Sequence, residues 1–388
     1  MRKGLLFLFV IIFSYSVYSQ SNINPDISLI GTFNTSTNFI KGSPEYGKLN
    51  FESPEMELYI DGYLNPFARA TANIAYEEDE FSVEELYANI VRGLPLDMQI
   101  KAGKYLVGFG KINTQHPHAW PFLNRPLFHQ VFFGMEGFNE VGASINFLLP
   151  TENFYSNLEV GLYKGESIPG LTDTNSVERG INPIFVGRLS SFFDISDYSN
   201  IEIGLSGAYG CYSKAQLNTA GNSNSEMEEK PLNYLYGGID FKLKYSPDTY
   251  SAFILQGEAL LNNRDVVRKG TFGIDSYKDE LQKITTFGAF IYVDYRFKKQ
   301  FSAGAKYDFT AGIVDDEPAF YTLANDDKNS TQGIEGWFSY YPVEETIMLR
   351  FGVQHLSFNY KDNIQRDGET TLKLQLLFSL GPHKAHQF

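Results

Sequence analysis

The chain has a single cysteine, Cys211, so no intramolecular disulfide can staple it. Lying on the apolar side of its strand, that residue reads as a small packed or lipid-facing side chain rather than a reactive thiol. Past the first twenty residues no apolar run is long enough to cross a bilayer as a helix. No glycine-rich phosphate loop, dinucleotide fingerprint or zinc-protease helix occurs. Nor is there a basic stripe to track a nucleic-acid backbone: 32 Lys and Arg stand against 46 Asp and Glu, a net charge of -14. These absences set aside nucleotide-dependent enzymes, helical membrane proteins and nucleic-acid binders.

The opening MRKGLLFLFVIIFSYSVYSQ has the parts of a secretory signal peptide. Arg2 and Lys3 precede an apolar run from Leu5 to Phe13, and Val17-Tyr18-Ser19 fits a small-residue cleavage rule. A retained N-terminal anchor would need a longer apolar run. Cleavage after Ser19 removes two bases and no acids and takes the net charge from -14 to -16. Residues 20–388 then form a single domain.

That domain is rich in Tyr (25), Phe (33) and Gly (34), and its apolar residues recur at every second position. Met56, Leu58 and Ile60 alternate with Glu57, Tyr59 and Asp61. Ile239, Phe241 and Leu243 alternate with Asp240, Lys242 and Lys244; Phe287, Ala289, Ile291 and Val293 oppose Gly288, Tyr292 and Asp294. Period two places such sets on opposite faces of a strand. Counting the runs gives about sixteen strands, joined alternately by short turns (Asn65-Pro66, Lys298 to Gln300) and long polar links (Ser213 to Pro231, Asn262 to Lys283, Ala311 to Gln332). Even strand number and alternating loop length are marks of an outer-membrane barrel. An exported β-sandwich also alternates, but sixteen strands with aromatic ends exceed its usual size. The predicted fold is an all-β, transmembrane antiparallel β-barrel. A phase slip between Val353 and Leu356 predicts a bulge there.

One link is of another kind. GKYLVGFGKINTQHPHAWPFLNRPLFHQVFFGMEGFNEVGASINFLLP, Gly103 to Pro150, joins two strand patterns through a segment too long for a turn and too rich in aromatics to be disordered. Its loop from Gly110 to Asn139 is expected to fold inward and narrow the lumen, with Lys104, Lys111, Arg125, Glu136 and Glu140 as pore-lining candidates. Arg125 can equally pin the loop by a bidentate pair with Glu136. His116 and His118, two apart, share a face on an extended backbone and can clasp one metal ion, with His129, Glu136 and Glu140 as further donors. The alternative is that these histidines simply hydrogen-bond in a packed loop. A second pair, His383 and His386, lies beside the terminal Phe388, itself a residue resembling the C-terminal signal of outer-membrane barrels.

The stretches FGKINTQHPHAWPFLNRPL and FGMEGFNEVGASINFLLP, with the tail LGPHKAHQF, resemble a porin-like outer-membrane barrel family often labelled zinc-regulated outer-membrane receptors, loosely similar to phosphate-selective porins. The resemblance implies an outer-membrane location, a channel for small hydrophilic solutes, lipid contact and a possible homotrimer. It allows zinc as a ligand and requires no cofactor. Energy-coupled receptors resemble larger barrels preceded by a plug domain, for which this chain has no room, so a passive pore is expected. The alternatives are a zinc-binding transporter and an enzyme. The latter rests on His355 and Ser357, spaced as in outer-membrane phospholipases, with Asn359 as orienting group; alternation of Leu356 and Phe358 toward lipid places that pair in the lumen.

Among the charged residues assigned to the inner face are Glu57, Asp61, Glu85, Glu159, Glu202, Asp240, Glu258, Asp308 and Glu335, with Arg69, Lys101, Arg188, Lys306 and Arg350. Both signs together predict a hydrated lumen without a ring of one sign, many of these residues pairing across strands. Acidic links outside (Glu77 to Glu80; Glu226, Glu228 and Glu229; Asp315 to Glu317) would favour cations modestly at the rim.

Overall fold

Strands with one apolar and one polar face satisfy both faces at once by closing into a barrel with the polar side inward. The computed structural model describes residues 25–77, 80–165, 176–177, 183–217, 228–272, 276–311, 329–343, 346–360 and 366–381. The leader predicted at residues 1–19, the acids Glu78, Asp79, Glu226, Asp315, Asp316 and Glu317, and the terminal His383, His386 and Phe388 lie outside the described residues.

In chain order the strands are β1 (Asp26–Phe39), β2 (Leu49–Phe51), β3 (Glu55–Asn65), β4 (Ala68–Glu77), β5 (Glu80–Ile90), β6 (Gln99–Leu106), β7 (Asn139–Leu149), β8 (Tyr155–Tyr163) and β9 (Ser176–Val177). They continue as β10 (Ile184–Ser196), β11 (Ser199–Leu217), β12 (Glu228–Tyr245), β13 (Ala252–Phe272), β14 (Ser276–Phe297), β15 (Phe301–Ala311), β16 (Ser330–Val343), β17 (Ile347–Asn359) and β18 (Glu369–Leu380). The two short strands are accessories: β2 pairs with β1 and β9 with β11. The other sixteen form a closed antiparallel wall, with β1 sealed to β18 from Leu29↔Leu380 to Phe39↔Thr370. Closure leaves no unpaired edge, the condition for β-structure in a bilayer.

Outward residues such as Ile239, Ile291, Ile334 and Phe351 are exposed on the wall, whereas Asp240, Glu258, Lys306, Asp308, Glu335 and Arg350 are buried inside. The protein is an outer-membrane barrel. At the short-turn end Tyr295, Phe297, Phe301 and Tyr340 form a run of neighbouring rings with centroids 5.9, 5.5 and 5.2 Å apart, an interfacial aromatic belt.

Three sequence expectations are corrected. Parts of the links expected at 213–231 and 262–283 are strand: β11 runs on to Leu217 and β12 starts at Glu228, and β13 and β14 pair without a break up to Phe272↔Ser276. Backbone ladders persist there although the alternation fades, because hydrogen bonding does not need a lipid-facing side. There is no slip in β17 either; its register to β16 runs unbroken from Ser330↔Asn359 to Tyr340↔Leu349. Leu356 therefore points inward against the core, and His355 and Ser357 point outward and are exposed. Nδ1 of His355 bonds Thr370 Oγ1 at 2.8 Å, and no hydrogen bond joins His355 to Ser357.

The hydrophobic core is inside the barrel, which is unusual for a wall with a polar inner face. It is made by the segment 107–138 between β6 and β7, where Val107, Phe109, Ile112, Trp120, Phe122, Leu127, Phe128, Val131, Phe132, Phe133 and Phe138 are almost wholly buried. Its helix α1 (Leu127–Phe133) packs on β14, β15 and β16. Wall glycines make the space: a Cβ on Gly288 would collide with Cβ of Phe128, and one on Gly352 with Leu123. Gly288→Leu is expected to lower stability by about 1–3 kcal/mol through overpacking, measured as an earlier urea midpoint, while the same change at outward-facing Gly237, where nothing lies within 4 Å, should shift it little.

Candidate functional site

The inward segment is held by its backbone as much as by its rings. At its neck Val107 N–H donates to Phe138 O at 2.8 Å. Asn113 closes that neck, donating from Nδ2 to the carbonyls of Val107 and Phe138 and accepting from Phe138 N–H at 2.8, 3.0 and 2.9 Å. Further in, wall side chains take up the orphan peptide groups of an irregular loop. Glu258 accepts the N–H groups of Lys111 and Ile112, at 2.7 and 2.5 Å. Glu335 accepts that of Leu123 at 2.6 Å, and Lys306 donates to Asn124 O at 2.6 Å. Arg350 donates to Phe122 O at 3.2 Å. Wall charges thus serve the loop, and they are balanced: Arg188 pairs with Asp240, and Lys306 sits 3.0 Å from both Asp308 and Glu335.

The segment fills the lumen against β11 to β17 and leaves the opposite side open. There a cavity of about 470 Å³ is lined by Glu57, Asn73, Glu85, Lys101, Lys111, Glu159, Arg188 and Glu202 together with His116 and His118. The two histidines bridge it to the wall. His116 Nε2 lies 3.0 Å from Glu85, its Nδ1 3.3 Å from Glu84 and 3.5 Å from Glu57, and His118 Nδ1 lies 2.9 Å from the other oxygen of Glu57. Their rings are parallel with centroids 5.7 Å apart. Burial opposes a charge on His116, but hydrogen bonds to Glu84 and Glu85 and the charge of Glu57 hold its imidazole well above the usual histidine range.

Glu84 and Glu85 are adjacent, so strict alternation allows only one of them inside. A bulge admits both: β4 pairs Asn73↔Glu85 and then Ile74↔Val83, leaving Glu84 as the extra residue. The sequence carried no signal for Glu84 as a lumen residue. Lys101, also on the cavity, stands over the rings of Tyr87 and Tyr105 at 4.8 and 4.6 Å.

The pore-lining candidates divide. Lys111 is on the cavity, its ammonium against Glu202. Lys104 is not: it pairs in register with outward Leu86 and Val141 and donates to Val83 O at 2.7 Å. Arg125 sits within the loop, its guanidinium 4.9 Å over Trp120. No ion pair joins it to Glu136, which is exposed, since stacking holds the guanidinium on the loop's own indole. Glu140 is buried at the loop exit, where it accepts Gly165 N–H at 2.9 Å. His129 does not join the other two histidines: α1 carries it to the packed side, 3.8 Å from Glu258, and burial holds its imidazole well below the ordinary range. Replacing Lys306 with Met would leave Asp308 and Glu335 buried without their cation and Asn124 O without its donor. The expected cost is about 3–5 kcal/mol, read from the urea midpoint of the folded barrel.

No family model matches the chain. Among solved structures it is similar to the outer-membrane channel DcaP of Acinetobacter baumannii, with TM-score 0.56 and 10% identity over 94% of this chain and 99% of that one. It is similar also to an anion-selective porin from Comamonas acidovorans, with TM-score 0.55 and 10% identity over 92% and 100%. At such identities the likeness is one of fold, that of the porin-like outer-membrane barrel. A curated relative, described as an uncharacterized protein of Aquifex aeolicus (strain VF5), is 30% identical over 410 residues, covering 97% of this chain and 82% of its own. The chain belongs to the family of that Aquifex aeolicus protein.

Proposed function

We propose that the protein is a channel for passive diffusion of small hydrophilic solutes and ions across the outer membrane, narrowed by the segment 107–138. The observation that supports this best is the division of the lumen into a packed apolar side and a polar cavity of about 470 Å³. A barrel of sixteen strands is wide enough for an aqueous passage, and the loop reduces that width without filling it.

The charges on the cavity favour mild selectivity. Glu57, Glu84, Glu85, Glu159 and Glu202 face Lys101, Lys111, Arg188 and His116, whose imidazole is held toward its charged form, and Lys111 and Arg188 already have acid partners. A slight acidic excess favours cations, with an effect that salt screens. The anion selectivity of the Comamonas acidovorans porin is therefore not expected here.

Purified protein in a planar bilayer should show a steady conductance with a modest cation preference in its reversal potential. Replacing residues 108–137 by a short Gly-Ser link should raise single-channel conductance severalfold and weaken that preference. A wild-type barrel that conducts nothing, or a loop deletion that leaves conductance unchanged, would overturn the reading.

A further inference from the structure

The contacts around His116 are those of a histidine prepared for a metal ion. Its Nε2 faces Glu85 at 3.0 Å, the arrangement in which a carboxylate fixes the tautomer of a ligating imidazole and leaves the other nitrogen with its lone pair outward. That nitrogen, Nδ1, looks at two further carboxylate oxygens, Glu84 Oε2 at 3.3 Å and Glu57 Oε2 at 3.5 Å. Without a metal, the proton on Nδ1 and the Asn73 amide meet these oxygens; a cation that displaces that proton would find one nitrogen and two carboxylate oxygens converging on it. Donor separations of about 3.4 Å are also the edges of a tetrahedral site with bonds of about 2.1 Å.

A second observation comes from Asn73. Its Nδ2 donates to the same two oxygens, at 3.0 Å to Glu57 and 2.9 Å to Glu84, while its Oδ1, on a residue 1% exposed, has no hydrogen-bond partner. The amide N–H group occupies the place a cation would take. Turning the amide over would release both carboxylates and offer the orphaned oxygen in their stead.

We propose that His116, Glu57 and Glu84 form a binding site for a divalent transition cation of the zinc class, clasping the inward loop to the wall at β3 and β5. Glu85 is a positioning residue for His116, and His118, 2.9 Å from Glu57, positions that carboxylate. The fourth ligand place opens on the cavity, where water or a passing solute group completes the shell. One nitrogen with carboxylate oxygens suits zinc, cobalt or manganese better than thiol-seeking copper(I). The site does not depend on the channel reading, because binding is measurable in detergent whether or not the barrel conducts.

The test is titration of tag-free, folded protein with zinc chloride alone, by calorimetry and by competition with a chromophoric chelator, folding of each variant being checked by its heat-modifiable gel mobility. One zinc per chain is expected. His116→Ala should abolish binding, Glu84→Gln should weaken it at least tenfold, and Glu85→Gln should weaken it roughly 10–100-fold. Cobalt should give the visible absorption of a four-coordinate ion, altered in Glu84→Gln and unchanged in form in Glu85→Gln at saturation. Absence of stoichiometric binding, binding that survives both His116→Ala and Glu84→Gln, or equal affinity for magnesium and calcium would overturn the proposal.

Discussion

The structure depends on the packing of an apolar loop inside a polar-lined barrel. A wall of alternating strands has no core of its own: its apolar face is spent on lipid and its polar face on water. The segment 107–138 supplies a core by bringing its own phenylalanines. Phe109, Phe133 and Phe138 pack against one another, with ring centroids 5.6, 6.0 and 4.9 Å apart, and Phe122 lies 5.2 Å from Tyr292 of the wall. Such aromatic pairs add about 0.5–1.5 kcal/mol each beyond area burial.

Apolar packing alone would leave the loop's peptide groups stranded. The inner wall answers with polar acceptors and donors, Glu258, Glu335, Lys306 and Arg350, of which Lys306 and Glu335 also pair with each other at 3.0 Å. This explains why so many of the inward charges are buried rather than bathed in the lumen. A charge-assisted hydrogen bond to a peptide group is stronger than a neutral one, and a fixed loop keeps the passage at one width. The hydrated chemistry is confined to the other side, between the loop and β3 to β10, where acids, bases, amides and two histidines meet.

Much of this was legible in the chain. Alternation is a direct record of which side chain faces lipid, so strand number, closure and the inward charges Asp240, Glu258, Lys306 and Glu335 follow from it, and the aromatic content of the 103–150 stretch marks it as an ordered inward loop. What alternation cannot record is a local break in its own period. Glu84 enters the lumen by a bulge. Lys104, by contrast, lies where unbroken alternation puts it, in phase with Ile100 and Ala102 on the outer face, the strand running on through Gly103 at φ +140°, a conformation few other residues adopt. Pairing partners across the barrel were equally hidden. His116 meets Glu57 and Glu84, far away in sequence, rather than the nearer His129, Glu136 and Glu140, because α1 turns its histidine toward the packed side.

The passage keeps one width only if the loop stays fixed against the wall in the membrane. The direct measurement is oxidative crosslinking of Leu123→Cys with Gly352→Cys, Leu123 Cγ lying 3.4 Å from the place a Cβ on Gly352 would take, a separation that two sulfurs bridge, in a Cys211→Ser background. The account predicts near-complete disulfide formation in intact outer membranes, with single-channel conductance unchanged between the oxidised and reduced forms. Failure to crosslink, or a conductance that falls on oxidation and recovers on reduction, would mean that the loop leaves the wall and that the lumen has no fixed width.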